Sequence, residues 1–557
     1  RARSFMANTG QSFPVALAAT RAGNVFTTHT PVEAAFDRYE PSLIRPYAQL
    51  LSVLVGVPVD QLLGLGRRDA SDANEPFNMA YLAMRGSGRV NGVSQLHGNV
   101  SRNIFQPLFP RWPEDDIPVG HITNGIHTPS WDSQSADTLW TNACGKDRWV
   151  RTLKDLCPLI NQISDETLWT FRVSQRQALI QYVRRRLVRQ LQEHGAAENL
   201  IEEARHAFDP NALTVGFARR LTAYKRPTLL LTDRERLIRL LCDQQHPVQL
   251  IMAGKAHPHD EEGKRLVQAL AQFTAQPALR SRVVFLEDYD ITLAQELVAG
   301  IDVWLNTPRR PLEASGTSGM KVLVNGGLNL SELDGWWAEA YTPEVGWALG
   351  TNGPHLDGLS DAEEAAQFYN LLEHQIIPEF YERDDDAIPR RWIKRVRTSM
   401  SQLTPHYSSN RMVREYVENA YLPASNAYHL RAANGGKVAQ DIYQWHRSIQ
   451  AHWTTLRFGD MHVVQIEEDW SFEVQVHCGS LDPAMVGVEL YADRHGDYPS
   501  NRILLDFKNP VSGLVNAYLY CGKAPAIRPA EHYTPRIVPA HPHAAVPLEC
   551  PEILWMR

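Results

Sequence analysis

The chain of 557 residues is long enough for about three or four domains, and 43% hydrophobic and 21% charged residues are typical of a globular protein. A net charge of -7 excludes the positive field of a nucleic-acid binder, and no apolar run approaches the ~18 residues of a membrane span. The six cysteines form no CxxC pair, which argues against a zinc site or a disulfide framework and favours the reducing cytoplasm.

The first 110 residues are predicted to form helices around one strand. The segment NVFTTHT (24–30) has residues typical of strands and stops at Pro31, so we expect a buried strand. Residues 71–105 are predicted to be helical, and GHITNGIHTPSW (120–131) is predicted to pass from a strand into a loop. Residue 1 is not methionine and no apolar signal core follows, so we expect the natural protein to extend upstream.

Residues 165–208 are predicted to form long helices whose arginine run, YVRRRLVRQLQEH, is a solvated face. From residue 213 the pattern changes, because short apolar strands (LTVGFA, VQLIMAG, RVVFLED, DVWLN) alternate with helices. This alternation predicts a doubly wound α/β domain with a parallel sheet. In such sheets ligands bind beyond the carboxyl ends of the strands, so the loops that follow these four strands are predicted to converge.

Two further regions follow the α/β pattern. Residues 360–450 are predicted to be helical, with segments such as EEAAQFYNLLEHQIIPEFY. Residues 460–557 alternate apolar and polar residues with a period of two, as in VVQIEEDWSFEVQVHC. This alternation predicts an antiparallel β region.

Two of the converging loops carry charges and glycines that suit anions. The loop ARRLTAYKR holds four cations, which favour phosphate oxygens or form ordinary surface charge. EASGTSGMK (313–321) places Lys321 near the start of a short helix behind a glycine-rich turn, which suits a phosphate or is simply a capped loop. Glu313 could hold a sugar hydroxyl or pair with Arg309 and Arg310 just upstream.

The histidines indicate no metal site. His257, His259 and Asp260 lie close together in GKAHPHD, but their spacing matches no strong zinc pattern. We therefore expect no bound metal.

Seven segments, in this order, resemble motifs of the α-glucan (glycogen or maltodextrin) phosphorylases: NVFTTHTPV, VNGVSQLHG, HITNGIHTPSW, RRLTAYKR, AGKAHP, VVFLEDYD and EASGTSGMK. The resemblance covers roughly residues 1–450 and is strongest for the bacterial branch, which carries PRRPLEASGTSGMK. It implies an α/β fold of the GT-B type, with two Rossmann-like domains facing a cleft. The β-rich C-terminal accessory region, which the alternation predicts, lies outside the resemblance. The resemblance also implies the cofactor pyridoxal 5′-phosphate.

The resemblance and the alternation of the C-terminal residues imply four regions along the chain. Residues 1–140 would be the C-terminal part of the first Rossmann-like domain, incomplete at its N-terminus, and residues 141–210 a helical connection. Residues 211–455 would form the second Rossmann-like, pyridoxal-phosphate-binding domain with returning helices. Residues 456–557 lie outside the resemblance and would be a β-rich accessory domain, as their alternation predicts.

The resemblance also implies which residues hold the cofactor. Lys321 would form the Schiff base with the pyridoxal aldehyde. Backbone N–H groups of Thr317 and Ser318 would reach the cofactor phosphate, because glycine neighbours allow close approach. Arg219 matches a position that neutralises the cofactor phosphate, and Tyr289 matches an aromatic residue beside the pyridoxal ring.

The implied substrate residues lie on the same loops. Arg220 and Lys225 match positions that hold the substrate phosphate, and together with His97 they are the implied catalytic residues. The positions that match the family's sugar-binding residues are His97, Tyr224, Glu313, Ser315 and Gly316.

The implied reaction is phosphorolysis of an α-1,4-glucan to α-glucose 1-phosphate and a shorter chain, with retained configuration. In this family the cofactor phosphate exchanges a proton with the substrate phosphate, whose proton goes to the leaving glycosidic oxygen. A dense group of cations offsets repulsion between two phosphates and stabilises the charge that develops on the sugar.

The sequence departs from the family pattern at three places. Asp290 stands where many members have a basic residue, and Thr222 and Ala223 replace a histidine and an acidic residue of the animal and plant type. The family's glycine-rich loop that helps to hold substrate phosphate would lie upstream of residue 1. We therefore expect that the chain alone could bind cofactor and still fail to turn over.

Two other functions stay open. A GT-B glycosyltransferase that uses a nucleotide sugar would share the fold and the cationic loop, without needing Lys321. A non-catalytic glucan-binding protein would use exposed aromatic platforms, and the chain has 14 tryptophans, including Trp336 and Trp337. The expected partners are an α-1,4-glucan and inorganic phosphate, not nucleic acid or membrane, with a homo-oligomer possible.

Overall fold

The computed structural model describes residues 1–150, 153–351 and 360–556. It contains two compact units. The first unit comprises Arg1–Gly92, Gly98–His121 and Tyr416–Arg557. The second unit comprises Val93–His97 and Ile122–Glu415.

The N-terminal part of the chain is helical around a small parallel sheet. Its elements are α1 (Ala2–Thr9), α2 (Phe13–Arg21), β1 (Val25–Thr27), β2 (Arg38–Tyr39), α3 (Pro41–Val55), α4 (Val59–Gly64), β3 (Phe77–Asn78), α5 (Met79–Arg85), β4 (Arg89–Gly92), α6 (Gln95–Phe105) and β5 (Gly120–His121). The parallel sheet has the order β1-β4-β5.

The structure confirms some local predictions here and corrects others. A strand does form within NVFTTHT, but β1 is half-buried and not buried. The prediction that residues 71–105 are helical is wrong at β4, which is a strand. The segment Gly86-Ser87-Gly88 follows α5 and breaks the helix, and Val90 then pairs in register with Phe26.

The second unit alternates helices and strands over most of its length. Its elements are α7 (Thr128–Trp131), α8 (Gln134–Cys144), α9 (Leu156–Asn161), α10 (Asp165–Glu193), α11 (Glu198–His206), β6 (Leu213–Arg220), α12 (Arg234–Leu241), β7 (Val248–Lys255), α13 (Glu261–Thr274), β8 (Val283–Leu286), α14 (Ile291–Gly300), β9 (Val303–Asn306), α15 (Ser318–Leu323), β10 (Leu328–Glu332), α16 (Trp337–Ala340), β11 (Gly346–Leu349), α17 (Asp361–Leu371), α18 (Ile377–Tyr381), α19 (Arg390–His406) and α20 (Ser409–Tyr416).

The centre of the second unit is a six-stranded parallel sheet in the order β11-β10-β9-β6-β7-β8. Its strands are buried almost throughout, as in β6, where only the last residue is exposed. Hydrophobic clusters that include Phe217 and Leu305 on one face, and Ala218 and Trp304 on the other, cover the sheet. This confirms the predicted α/β class and parallel sheet, with β10 and β11 as additional strands.

Helix α10 is anchored to the sheet by arginines. Arg172 and Arg176 are buried, and both contact the carboxylate of Asp302 just before β9, with N–O distances of 3.3 and 2.9 Å. The arginine run that follows was predicted to be a solvated face, which is wrong for part of it. Arg184 donates to the carbonyl oxygens of Ala207 and Phe208 at 2.7 and 2.6 Å, because these carbonyls follow the end of α11.

The C-terminal part of the first unit begins with a long helix and continues in β structure. Its elements are α21 (Leu422–His452), β12 (Arg457–Ile466), β13 (Asp469–His477), β14 (Val486–Ala492), β15 (Asn501–Leu504), β16 (Asp506–Pro510), β17 (Ala517–Pro525), β18 (Thr534–Pro539) and β19 (Leu554–Trp555). The helix α21 is interrupted by non-helical backbone at 433–436.

These strands form two antiparallel sheets, with the orders β12-β13-β17-β16 and β15-β14-β18-β19. Their shared core contains Phe472, Val474, Val488, Leu490 and Ile537, all fully buried. The predicted antiparallel β region is therefore confirmed.

Within the described residues, every helix is too short or too polar for a bilayer crossing. All six cysteines lie in the described ranges, and each is a free thiol.

Candidate functional site

The carboxyl ends of β6 and β9 bring two cations and a carboxylate together. The end of β6 supplies Arg219, the loop after it supplies Lys225, and the loop after β9 supplies Glu313. Lys225 Nζ contacts Glu313 Oε2 directly, and Arg219 Nη2 lies 3.4 Å from the same oxygen. All three side chains are buried. We call these three residues the ion cluster. The predicted convergence of these two loops is confirmed.

The partners of Glu313 differ from those that the sequence suggested. Arg309 pairs with Asp361 at 2.9 Å, and Arg310 donates to the carbonyl oxygen of Thr351 at 2.7 Å. Glu313 is instead held from its own backbone, whose N–H donates to Asp334 Oδ2 at 2.9 Å.

Asp334 is a supporting residue that sequence reasoning missed. It follows β10, and its second oxygen accepts the N–H of Gly335 at 2.8 Å. Burial raises the pKa of Asp334 to about 7. In the sequence Asp334 is only an acidic residue before a glycine, a pair that is common in turns. Nothing in the neighbouring sequence therefore indicates its hydrogen bond with Glu313.

Burial governs the protonation of the ion cluster and its aromatic neighbour. Burial and the charge of Arg219 lower the pKa of Lys225 to about 8, although Glu313 opposes this shift. Burial and then Glu313 raise the pKa of Tyr224 to about 12. Lys225 Nζ also lies 4.6 Å from the centre of the Tyr224 ring. At neutral pH Lys225 is therefore mostly a cation, and the neighbouring Tyr224 is a neutral phenol.

Several buried polar atoms at this sheet edge have no hydrogen-bond partner among the described residues. They are Arg219 Nη1, Thr222 Oγ1, Asn306 Oδ1 and Ser315 Oγ. A buried donor without a partner costs about 1–3 kcal/mol, more when it is charged. Such groups indicate a place where a polar or anionic ligand completes the hydrogen bonding.

Lys321 lies on the short helix α15, as the fourth of its six residues. Its ammonium is 3.7 Å from the centre of the Trp131 ring, and burial lowers the pKa of Lys321. No carboxylate within the described residues pairs with it. A lowered pKa increases the share of neutral amine, the nucleophilic form that reacts with an aldehyde. Trp131 ends the motif HITNGIHTPSW, but no spacing rule linked it to Lys321.

The glycine-rich turn before α15 packs closely on the ion cluster. Gly316 has φ +81°, and a Cβ atom there would lie 3.1 Å from Glu313 Cγ. Thr317 immediately precedes α15, and Ser318 Oγ accepts a hydrogen bond from Trp304 Nε1 at 3.2 Å.

Replacing Gly316 with alanine is expected to lower the free energy of unfolding by more than the ~1–2 kcal/mol that a left-handed backbone costs an L-residue. The excess comes from the contact with Glu313. Gly195→Ala is the matched control, because Gly195 has φ +65° with no atom near its Cβ position. Urea denaturation of both variants measures the difference. Equal losses would contradict the close contact.

His97 is held next to the same turn. Its Nδ1 accepts the N–H of Val93 at 3.1 Å, and its own N–H donates to Ser94 Oγ at 3.1 Å. Ser94 Oγ in turn donates to the carbonyl oxygen of Ala314 at 2.7 Å. The motif VNGVSQLHG is thus tied to the residue beside Glu313.

The remaining predicted site residues lie around the ion cluster without joining it. Arg220 is exposed at the end of β6. Tyr289 follows β8 and is half-buried, and burial raises its pKa while Arg219 opposes the shift. Among described residues no hydrogen bond or ion pair links the cluster with Arg220, Tyr289, Thr317, Ser318 or Lys321.

Two acidic residues that the sequence analysis considered have structural roles. Asp290, which departs from the family pattern, caps α14 by accepting the N–H of Leu293 at 2.8 Å. Asp260 caps α13 in the same way through Gly263 at 2.8 Å. His257 Nδ1 accepts the N–H of His259 at 3.2 Å, and these residues form no metal-ligating group within the described chain.

Comparison with known proteins gives the context for this geometry. The chain is 37% identical over 571 aligned residues to glycogen phosphorylase of Mycobacterium tuberculosis, with 98% of this chain and 64% of that protein covered. It is 36% identical to maltodextrin phosphorylase of Thermococcus litoralis, covering 96% and 63% of the two chains. Against glycogen phosphorylase of Aquifex aeolicus the identity is 38%, covering 74% and 59%. The chain therefore spans less than two thirds of the length of these relatives.

The profile of the carbohydrate phosphorylase family matches residues 64–352, just over half of the chain. The match includes β6 to β11, the ion cluster and Lys321. This protein accordingly belongs to the carbohydrate phosphorylase family.

Proposed function

We propose that this protein carries out the phosphorolysis of α-1,4-glucans, with pyridoxal 5′-phosphate as cofactor and α-glucose 1-phosphate as product. One observation carries the proposal: the ion cluster and Lys321, which both hold cations, lie at the same carboxyl end of the parallel sheet. Relatives named glycogen phosphorylase and maltodextrin phosphorylase support the substrate class. The GT-B arrangement and the four predicted regions belong to the same proposal.

The residues around Lys321 fit the cofactor. Lys321 would hold its aldehyde carbon, because its amine is half-buried, has a lowered pKa and has no competing carboxylate among described residues. Arg219 Nη1 is a buried donor that finds no partner in the described part of the chain, and it suits the phosphate. We assign backbone contacts with that phosphate to Thr317 and Ser318, and ring contact to Tyr289. When bound, the cofactor supplies a phosphate whose second pKa near 6 suits proton exchange at neutral pH.

The ion cluster supplies the charge that a substrate phosphate needs. We assign the substrate phosphate to Arg220 and Lys225. Two phosphates in contact repel each other, and cations in a buried site offset this repulsion strongly. Glu313 neutralises part of the cluster when no anion is present, and it accepts sugar hydroxyls in the proposal. Sugar contacts are assigned to His97, Tyr224, Glu313, Ser315 and Gly316.

The decisive experiment is borohydride reduction of the protein after incubation with pyridoxal 5′-phosphate, followed by peptide mass mapping. We expect a pyridoxyl-phosphate adduct on Lys321. Lys321→Ala should lose the adduct, and Lys255→Ala, which removes an exposed lysine, should keep it. Labelling confined to exposed lysines would contradict the assignment. Release of glucose 1-phosphate from maltodextrin and phosphate then tests turnover separately from cofactor binding.

Phosphate affinity is expected to fall as the pH rises through about 8, the pKa of Lys225. A lysine is charged below its pKa and neutral above it, so the loss of one cation between pH 7 and 9 should weaken binding about tenfold. Lys225→Arg should flatten this decrease, because arginine stays charged throughout. Calorimetric titration with inorganic phosphate at several pH values measures the effect. The same pH profile in both proteins would contradict a role for Lys225.

The two alternatives have weaker support. A nucleotide-sugar transferase would leave the half-buried Lys321 without a use. A glucan-binding protein needs exposed aromatic platforms, but Trp336 and Trp337 are 1% and 0% exposed and pack in the core. A cytoplasmic location and a homo-oligomer remain part of the proposal.

A further inference from the structure

Three metal-ligating side chains meet in the first unit, away from the residues discussed above. His446 lies on α21, and Cys550 and Glu552 lie in the segment just before β19. Their ligand atoms all lie within 4.8 Å of one another. The thiol Sγ of Cys550 donates to Glu552 Oε2 at 3.1 Å. We call these residues the His–Cys–Glu cluster.

We propose that the His–Cys–Glu cluster binds one divalent transition-metal ion, with zinc preferred. Imidazole nitrogen, thiolate sulfur and carboxylate oxygen are all zinc ligands, and their combined charge of two negatives matches the ion. A thiolate disfavours hard cations such as magnesium and calcium, which take oxygen ligands. The proposal does not depend on the proposed phosphorolysis.

The spacing of the cluster is close to what zinc needs. Bond lengths of about 2.0–2.3 Å place the ligands of a tetrahedral zinc ion about 3.3–3.8 Å apart. The Cys550–Glu552 separation of 3.1 Å and the outer limit of 4.8 Å bracket this range. Side-chain adjustments of about 1 Å therefore complete the site. On binding, a sulfur–metal bond replaces the S–H bond, and the thiol proton passes to solvent.

The surroundings give the ion access, and the ligands themselves match its charge. His446 lines a cavity of about 390 Å³ together with Tyr443, Arg21 and Glu549. The cavity offers an approach route and room for a water molecule as fourth ligand. Arg21 lies 3.6 Å from Glu549, which also pairs with Arg431 at 2.7 Å, so two arginines share this carboxylate beside the cluster.

The bound ion would join two distant parts of the sequence. His446 belongs to α21, whereas Cys550 and Glu552 belong to the C-terminal segment, about 100 residues later. Closing a loop of this length stabilises the folded state, as a disulfide would. Metal binding should therefore raise the melting temperature of the first unit.

Cobalt titration of the chelator-treated protein tests the proposal. We expect one equivalent of Co²⁺ to bind with the intense thiolate-to-cobalt charge-transfer absorption that reports a cysteine ligand. Zinc should displace it, and magnesium should not. Cys550→Ser should abolish the absorption, and His446→Gln should weaken binding by more than about 100-fold, beyond the effect of losing an outer-shell contact.

Controls keep the outcome decisive. Cys478→Ser removes another buried thiol of the same β region and should leave the absorption unchanged. If Cys550→Ser does not fold, as judged by circular dichroism, the His446→Gln titration decides the matter, because His446 is only half-buried. The absence of a thiolate band in the unmodified protein would overturn the proposal. So would the same band and affinity in His446→Gln.

Discussion

Replacing Glu313 with glutamine is expected to lower the free energy of unfolding by about 3–5 kcal/mol, because two buried cations lose their counter-charge. Lys225 and Arg219 both direct nitrogens at the same Glu313 oxygen, and all three side chains are at most 11% exposed. The amide oxygen of the glutamine still accepts hydrogen bonds but carries no charge. Guanidinium denaturation, with a probe in the second unit, measures the loss.

Glu261→Gln is the control for this variant. Glu261 pairs with Lys264 at 2.6 Å, but the Glu261 side chain is 76% exposed. Its replacement should therefore lower the free energy of unfolding by at most about 1 kcal/mol. Inorganic phosphate should also stabilise Glu313→Gln more than the unmodified protein, because the variant has a surplus of buried positive charge. An unchanged denaturation midpoint in Glu313→Gln would contradict the ion cluster as described.

Replacing Asp302 with alanine is expected to lower the free energy of unfolding by a similar amount, about 3–5 kcal/mol, because a buried arginine of α10 again loses its counter-charge. Asp302 is 1% exposed, and its carboxylate accepts from Arg176 at 2.9 Å and from the N–H of Thr214 at 3.1 Å. Its removal leaves the buried Arg176 without a counter-charge and the start of β6 without an acceptor. The variant should unfold at a lower denaturant concentration and exchange the amide hydrogens of α10 faster.

Glu202→Ala provides the comparison for Asp302. Glu202 pairs with Arg205 at 3.1 Å on the surface of α11, and 59% of its side chain is exposed. We expect the free energy of unfolding of this variant to lie within about 0.5 kcal/mol of that of the unmodified protein. If both variants lost the same stability, the anchoring of α10 through Asp302 would be refuted.

The strands that could be predicted are those with unbroken apolar runs. Strands β6 to β9 are buried on both faces, so their sequences are continuous hydrophobic segments bounded by polar loops. Strand β10 escaped prediction because it carries Asn329, Ser331 and Glu332, all buried. These polar residues find partners far away in sequence, such as Asn306 for Ser331 at 2.9 Å, which no local pattern reveals.

The candidate site, like the sheet, could be predicted from the sequence only in part. Motif order and strand order were enough to predict that Lys225, Glu313 and Lys321 lie in the segments that follow the strands at one end of the sheet. The contact of Glu313 with Lys225 could not be predicted, because Arg309 and Arg310 are much closer in sequence. Burial determines which cation Glu313 contacts. Arg309 is half exposed and pairs with an exposed carboxylate, whereas Lys225 is buried.

The position of β6 in the sheet has a consequence for synthesis of the chain on the ribosome. Its two neighbours are β7, which follows after one helix, and β9, which lies roughly 80 residues beyond its end. At ~5–20 residues per second, ~4–16 s pass before β9 has been made. During that interval one edge of an apolar strand has no partner. The nascent chain is then most open to chaperones and to aggregation.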